Sequence, residues 1–172
     1  MVAATDDQEL WRQFRRGDVE AFERFYRSHV GRLQNFLRGY LGEARAAEDV
    51  AQEAFLQLWR KPNGFNPARA TLKAYLFGIA AKRAADWWRR QVREEGRPLP
   101  APVASRSESQ TLMGDALGRL EPDARSLLWL REVEGYAYAE LAEILEIPLG
   151  TVKSRLFTAR EELRRIWKDA GS

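Results

Sequence analysis

Apolar side chains recur along this chain at three- and four-residue intervals almost from end to end, and the alternation that builds strands is nearly absent. Such spacing gives a helix one apolar stripe, and a striped helix is stable in water only when its stripe meets another. The chain is thereby confined to all-α architectures. The pattern breaks off once, over residues 94–110, EEGRPLPAPVASRSESQ, where three prolines and three serines accompany almost nothing apolar. That composition makes an extended, flexible linker. With 172 residues in all, the expectation is two small helical domains, 1–93 and 111–172, joined by 94–110.

Composition narrows the function classes. There is no cysteine, which removes disulfides, thiolate zinc sites and thiol redox sensing. The formal charge of +3 is mild, so any polyanion site must come from local clustering. The opening residues, MVAATDDQEL, lack the basic and apolar regions of a signal peptide, and no apolar run approaches the roughly 20 residues of a membrane span. A soluble, cytoplasmic protein is expected, with no cofactor and no metal. The single histidine, His29, has no partners in sequence to make a ligand set or a catalytic pair and reads as a packed side chain.

In the N-terminal half, Thr5 or Asp6 can cap a short helix carrying Leu10, Trp11 and Phe14, which Gly17 ends. Asp18 caps a second, with Phe22, Phe25, Leu33, Phe36, Leu37 and Tyr40 on its stripe and Gly42 as its stop. Residues 44–60 form a third helix. Behind its apolar face, its polar side gathers Glu48, Asp49, Gln52, Glu53 and Gln57. Three readings are open for that cluster: a metal or acid–base site, a solvated acidic face, or a docking surface for a basic partner helix. A turn-rich loop follows, with Asn63, Phe65, Asn66 and Arg69. The fourth helix, about 70–93, begins apolar and ends with Lys82, Arg83, Arg89, Arg90 and Arg93 around Trp87-Trp88. Cations neutralise phosphates and flat rings stack on bases, so this mixture suits nucleic acid. The alternative is a pair of core tryptophans beside arginines that favour a helix C-terminus. Two adjacent side chains on a helix point about 100° apart, so one face rarely holds both rings.

Beyond the linker, Leu112, Met113, Ala116, Leu117 and Leu120 make a short helix, and Pro122 opens another. Tyr136 to Arg165, YAYAELAEILEIPLGTVKSRLFTAREELRR, then reads as two helices around a tight turn. Pro148 is tolerated only at a helix start, so the second begins at Leu149 or Gly150. Val152, Leu156, Ala159 and Leu163 form its buried stripe, and the free face carries Lys153, Ser154, Arg155, Phe157, Thr158 and Arg160, with Thr151 at the start. A short helix packed across another, with its free face basic and hydrogen-bonding, is a helix-turn-helix offering a recognition helix to a major groove.

GTVKSRLFTAR after YAELAEIL resembles the C-terminal DNA-binding region of sigma-70 family transcription initiation factors, and AEDVAQEAFLQLW resembles the core-polymerase-binding segment of the same family. The match is to the small extracytoplasmic-function (ECF) group. It implies a non-enzymatic subunit of bacterial RNA polymerase, with an anti-sigma factor as a further partner. Glu48, Asp49, Gln52, Glu53 and Gln57 would dock on the β′ clamp coiled coil. Asn63, Phe65, Asn66, Arg69, Lys82, Arg83, Trp88, Arg89 and Arg90 would recognise and help to open the −10 element. Thr151, Lys153, Ser154, Arg155, Phe157, Thr158 and Arg160 would read the −35 element from a four-helix domain that also touches the β flap.

The chain departs from the family pattern in places. Phe77-Gly78 and Ala81-Lys82 stand where Tyr-Arg and Arg-Asn are common. Ala137 replaces a capping serine, which forfeits about 1 kcal/mol. Glu146 replaces a turn glycine, and a left-handed backbone there costs about 1–2 kcal/mol. Thr158 replaces an arginine, which points to a different −35 sequence. The competing readings are a helix-turn-helix regulator that never joins polymerase, and a metal-dependent nuclease built on Glu48, Asp49 and Glu53.

Overall fold

The protein is described from a computed structural model, which places residues 5–95 and 116–171. Helix α1 (Thr5–Arg15) is short and closes at Gly17. In α2 (Val19–Leu41) the Asp18 carboxylate accepts the Ala21 N–H at 3.1 Å, and left-handed Gly42 ends the helix, both as the sequence leads one to expect. Next come α3 (Ala44–Arg60) and a 3₁₀ turn at Pro62–Gly64. Helix α4 (Leu72–Glu95) starts two residues later than expected. The reason is a cap: the Thr71 hydroxyl accepts the Ala74 N–H at 3.1 Å, and the Asp7 carboxylate takes the Leu72 N–H at 2.9 Å. At its other end α4 includes Glu94 and Glu95, so the helix runs past the expected start of the linker.

In the C-terminal half a helical turn at 116–118 precedes α5 (Pro122–Leu128), which continues into a π-helical turn, Trp129–Val133. Leu112 and Met113, expected in that first helix, lie outside the described residues. Helices α6 (Tyr138–Leu145) and α7 (Leu149–Ala170) form the helix-turn-helix, with Pro148 just ahead of α7. Val152, Leu156 and Ala159 are buried against α5 and α6, and Leu163 is partly buried. Ala137 caps α6 without a side-chain acceptor, but the Glu140 carboxylate accepts the Ala137 N–H at 3.0 Å and supplies half of a capping box. Glu146 is left-handed, with φ 53°, so the cost anticipated for a side chain there is incurred.

The stripe of α2, α3 and the inner face of α4 make the N-terminal core, from Leu33, Phe36 and Leu37 to Leu58, Leu72 and Leu76, all fully enclosed. Helix α1 seals one side, with Phe14 edge-on to Phe22 and Phe25.

The two halves do not stand apart. Helix α6 lies across α4, and α5 lies against the end of α2. The apolar interior is one cluster running through both. The carbonyl of Tyr40, at the C-terminal end of α2, shows why. Such carbonyls have no partner within their own helix. This one accepts the Trp88 indole N–H at 3.1 Å and the Arg125 guanidinium at 2.9 Å, one donor from each half. The Tyr40 hydroxyl in turn donates to Asp123 at 2.9 Å. Trp129 covers Gly39 so closely that a Cβ there would lie 3.2 Å from its ring. Helix α4 thus carries two apolar faces. Phe77, Ala81, Ala84 and Trp88 belong to the second, which the periodicity did not single out.

Candidate nucleic-acid and polymerase interfaces

Three surfaces carry the residues singled out from the sequence. The first is the polar side of α3. Glu48, Asp49, Gln52 and Glu53 are all exposed, because the helix turns its alanines and Phe55 inward. Gln57 is half-buried and already engaged, its amide oxygen accepting Arg83 Nε at 3.0 Å and an Arg83 terminal nitrogen at 2.7 Å. Arg83 also lies 3.7 Å from Glu53. The acidic face is thus stitched to α4 along one edge and open along the other. Among the described residues no group of three or more His, Asp or Glu is placed to hold a metal ion.

The second surface is a cavity of about 590 Å³ between the 61–71 loop and α4. Phe65, Asn66, Arg69, Lys82 and Arg83 line it, so five of the expected −10 residues converge although the chain separates them by up to 18 positions. Its size lies within the roughly 300–1,000 Å³ typical of small-ligand sites. Asn66 holds the loop in shape by accepting the Ala68 N–H at 3.0 Å. Asn63 is exposed at the loop's start and does not line the cavity.

Phe65 corrects an expectation. It is buried, edge-on to Trp11 and tilted against Tyr75, and Trp11 donates its indole N–H to the Pro62 carbonyl at 2.5 Å. The isolated aromatic of the loop is therefore its anchor, held down by α1, and offers no face to a base. Trp88 needs the same correction: it is 7% exposed and bound to Tyr40, while Trp87 is only half-buried. Arg89 and Arg90 are exposed, and Arg89 pairs with Asp86.

The more exposed ring in the cavity wall is Tyr75, half-buried where Phe65 is covered, and it was not singled out. Its hydroxyl approaches Gly64 so closely that a Cβ there would sit 2.2 Å from it. Burial pushes that hydroxyl's pKa up, opposed by Lys82. A glycine in the loop facing an aromatic at the start of α4 was the available signal, but nothing local shows which way the ring points.

The third surface is the outer side of α7. Lys153, Ser154, Arg155, Phe157 and Thr158 are exposed together, and Phe157 is 68% exposed, a large ring left in water. Thr151 is half-buried, and its carbonyl accepts the Ser154 hydroxyl at 3.2 Å. Arg160 departs from expectation. Glu132 at 2.6 Å and the Tyr138 hydroxyl at 3.2 Å hold its guanidinium, and these bonds raise its pKa. It is committed to bracing α7 against α5 and α6. Arg155 leans the other way, lining a smaller cavity of about 230 Å³ shared with Lys82 and Arg89 of α4.

Residues 25–94 match the family described as Sigma-70 region 2, and residues 111–163 the one described as Sigma-70, region 4. The ECF RNA polymerase sigma factor RpoE of Cereibacter sphaeroides is 30% identical over 131 residues, covering 71% of this chain and 72% of that protein. The RNA polymerase sigma-H factor of Pseudomonas aeruginosa is 28% identical over 186 residues, covering 95% of this chain and 94% of its own. Among solved structures, the sigma factor RpoE co-crystallised with the anti-sigma factor NepR from Bartonella quintana superposes with a TM-score of 0.72 at 26% identity, over 86% of this chain and 96% of that one. CnrH, in complex with the cytosolic domain of CnrY, shares the fold with a TM-score of 0.74 at 24% identity, over 96% and 99%.

Proposed function

Since this chain belongs to the sigma-70 family of RNA polymerase sigma factors, in its ECF group, we propose how its three surfaces divide the work of starting transcription. The protein is an initiation factor that directs bacterial core RNA polymerase to promoters. Polymerase performs the chemistry; this chain supplies sequence choice and strand opening. Its partners are core polymerase, promoter DNA and an anti-sigma factor, as the RpoE–NepR complex of a structural relative supports.

The exposed carboxylates of α3, Glu48, Asp49 and Glu53, dock on the β′ clamp coiled coil, where a complementary charge pattern sets register and encounter rate. The cavity holds an unpaired −10 base, with Asn66 and the Tyr75 ring beside it and Arg69 and Lys82 on the adjoining phosphates. Arg89 and Arg90 extend that phosphate track along α4. Helix α7 enters the major groove of the −35 element, where Lys153, Ser154, Phe157 and Thr158 face the bases and Arg155 the backbone. Residues 1–95 and 111–172 are then the two working units, a boundary moved by two residues because α4 continues to Glu95.

One observation supports this division above the others: both sigma-70 regions match in order, and the residues of the first converge on one cavity. A helix-turn-helix regulator independent of polymerase leaves the region 2 match over residues 25–94 without a role. The test is reconstitution with core polymerase and mapping of transcript starts on genomic DNA. Starts that share a −35 and a −10 motif are expected, and absence of any factor-dependent start overturns the proposal.

A further inference from the structure

We infer that α1 is a clamp on the 61–71 loop, with Asp7 and Trp11 as positioning residues that hold the loop in the shape that captures an unpaired −10 base. The base-capturing role of the cavity rests on the reading above; the grip of α1 on the loop does not.

Helix α1 precedes residues 25–94, the stretch that matches Sigma-70 region 2, and none of the three surfaces includes it. Asp7, Trp11 and Phe14 nevertheless fall at i, i+4 and i+7, one row along its side. Phe14 seats the row, buried edge-on against Phe22 and Phe25 of α2. The other two each take one end of the loop. Where the chain enters it, the Trp11 indole N–H donates to the Pro62 carbonyl at 2.5 Å. Where the chain leaves it for α4, the Asp7 carboxylate accepts the Leu72 N–H at 2.9 Å, one of the first donors of that helix, which no helical carbonyl can serve. Both ends of the loop are thus tied to side chains about one helical turn apart.

The middle is held as well. The Phe65 ring lies 5.8 Å from that of Trp11 and 5.6 Å from that of Tyr75, centroid to centroid. The Tyr75 hydroxyl leaves no room for even a Cβ at Gly64. The Arg15 guanidinium sits over the Trp11 ring at 4.9 Å. Any shift of that ring is therefore passed to Phe65, and one peptide further on to Asn66 in the cavity wall.

What such a shift would disturb follows from geometry. A hydrogen bond to a base edge weakens steeply once its distance or angle departs from ideal. An ionic contact to a phosphate falls off only gradually, and Arg69 and Lys82 are long enough to follow it. Loosening the clamp should accordingly cost base capture and spare phosphate binding.

The test uses three variants in holoenzyme reconstituted with core polymerase. Trp11→Phe keeps the ring and deletes its N–H, Asp7→Ala deletes the acceptor, and Asp7→Asn restores an uncharged one. The probes are a fluorescent single-stranded oligonucleotide from the −10 region of a mapped promoter, and the same strand with an abasic site at each position in turn. The native factor is expected to bind one abasic strand at least tenfold more weakly than the intact strand. Trp11→Phe and Asp7→Ala should bring that ratio below threefold by losing affinity for the intact strand alone, with salt dependence and capture of core polymerase unchanged, and Asp7→Asn should keep the native ratio. A role confined to stability would weaken both strands alike and leave the ratio as it was. A native ratio in Trp11→Phe or Asp7→Ala overturns the inference, and so does an Asp7→Asn variant as impaired as Asp7→Ala.

A second measurement reads the loop without DNA. Hydrogen exchange of amides in residues 62–72 of the full chain should be at least threefold faster in Trp11→Phe and Asp7→Ala than in the native protein, with exchange in α3 unaltered. Unchanged exchange in the loop overturns the clamp. Faster exchange, in a protein whose native form is indifferent to every abasic strand, overturns the base-capture reading and the inference with it, while the grip of α1 on the loop stands.

Discussion

Glu146 combines two opposing contributions in one residue. Its left-handed backbone costs about 1–2 kcal/mol, which a glycine would not incur. Its exposed pair with Lys82 returns at most about 1 kcal/mol. Glu146→Gly is therefore expected to stabilise the fold by up to about 1 kcal/mol, seen as a higher midpoint in urea at an unchanged m-value. A loss of stability would mean the turn is held by something other than backbone geometry. His29 offers a second single-residue test. It packs edge-on to Phe25 at 4.5 Å, and burial, then Lys73, lowers its pKa from 6.5. The remaining facing charges divide: Arg32 lowers the pKa further, and Asp7 and Glu134 raise it. A lowered folded pKa means the unfolded chain takes up the proton first as pH falls. The stability associated with neutral His29 is thus complete above about pH 6.5 and is lost as pH drops below it. Melting at pH 7.5 and 5.5 should show this loss in the native chain and a smaller one in His29→Gln; identical slopes would remove His29 from the account.

At the scale of the helix, the division of labour on α7 can be read from salt and sequence dependence. Arg155→Ala should weaken all promoters alike and flatten the log–log salt dependence by about 0.9 for one lost phosphate contact. Thr158→Arg should change which −35 sequences are recovered from a randomised promoter library, since a guanidinium favours guanine edges. An unchanged consensus would take Thr158 off the reading face. On α3, Asp49→Lys should weaken capture of core polymerase without altering the melting temperature; Glu53, 3.7 Å from Arg83, and Gln57, already bound to it, are the poorer choices. Helices such as α2 and α3 were legible because a stop, a cap and one stripe are local properties. Asp18, Gly42 and Pro148 each act within a few residues. What could not be read is the second face of α4. Phe77, Ala81 and Trp88 are buried by residues 40 or more positions away, so their spacing merges with the first stripe. Phe65 and Tyr75 exchanged roles for a related reason: Trp11, 54 positions earlier than Phe65, decides which ring is covered.

For the molecule as a whole, the linker pattern foretold two units, and the matched regions fall on either side of it. Composition could not foretell that the units share an interior, because a helix face covered by a second domain looks the same in sequence as one covered by its own. The carbonyl at the end of α2 illustrates what that sharing entails. It is served by Trp88 from one half and Arg125 from the other, so separating the halves strips one donor from it and bares Phe77, Ala81 and the surroundings of Trp88. A surface of that kind is sticky in water. A chain truncated after residue 95 should therefore self-associate as its concentration rises, visible in sedimentation velocity, while the full chain stays monodisperse. The C-terminal half thus serves its neighbour as a solubilising cover, much as a terminal repeat shields the exposed end of a stacked array.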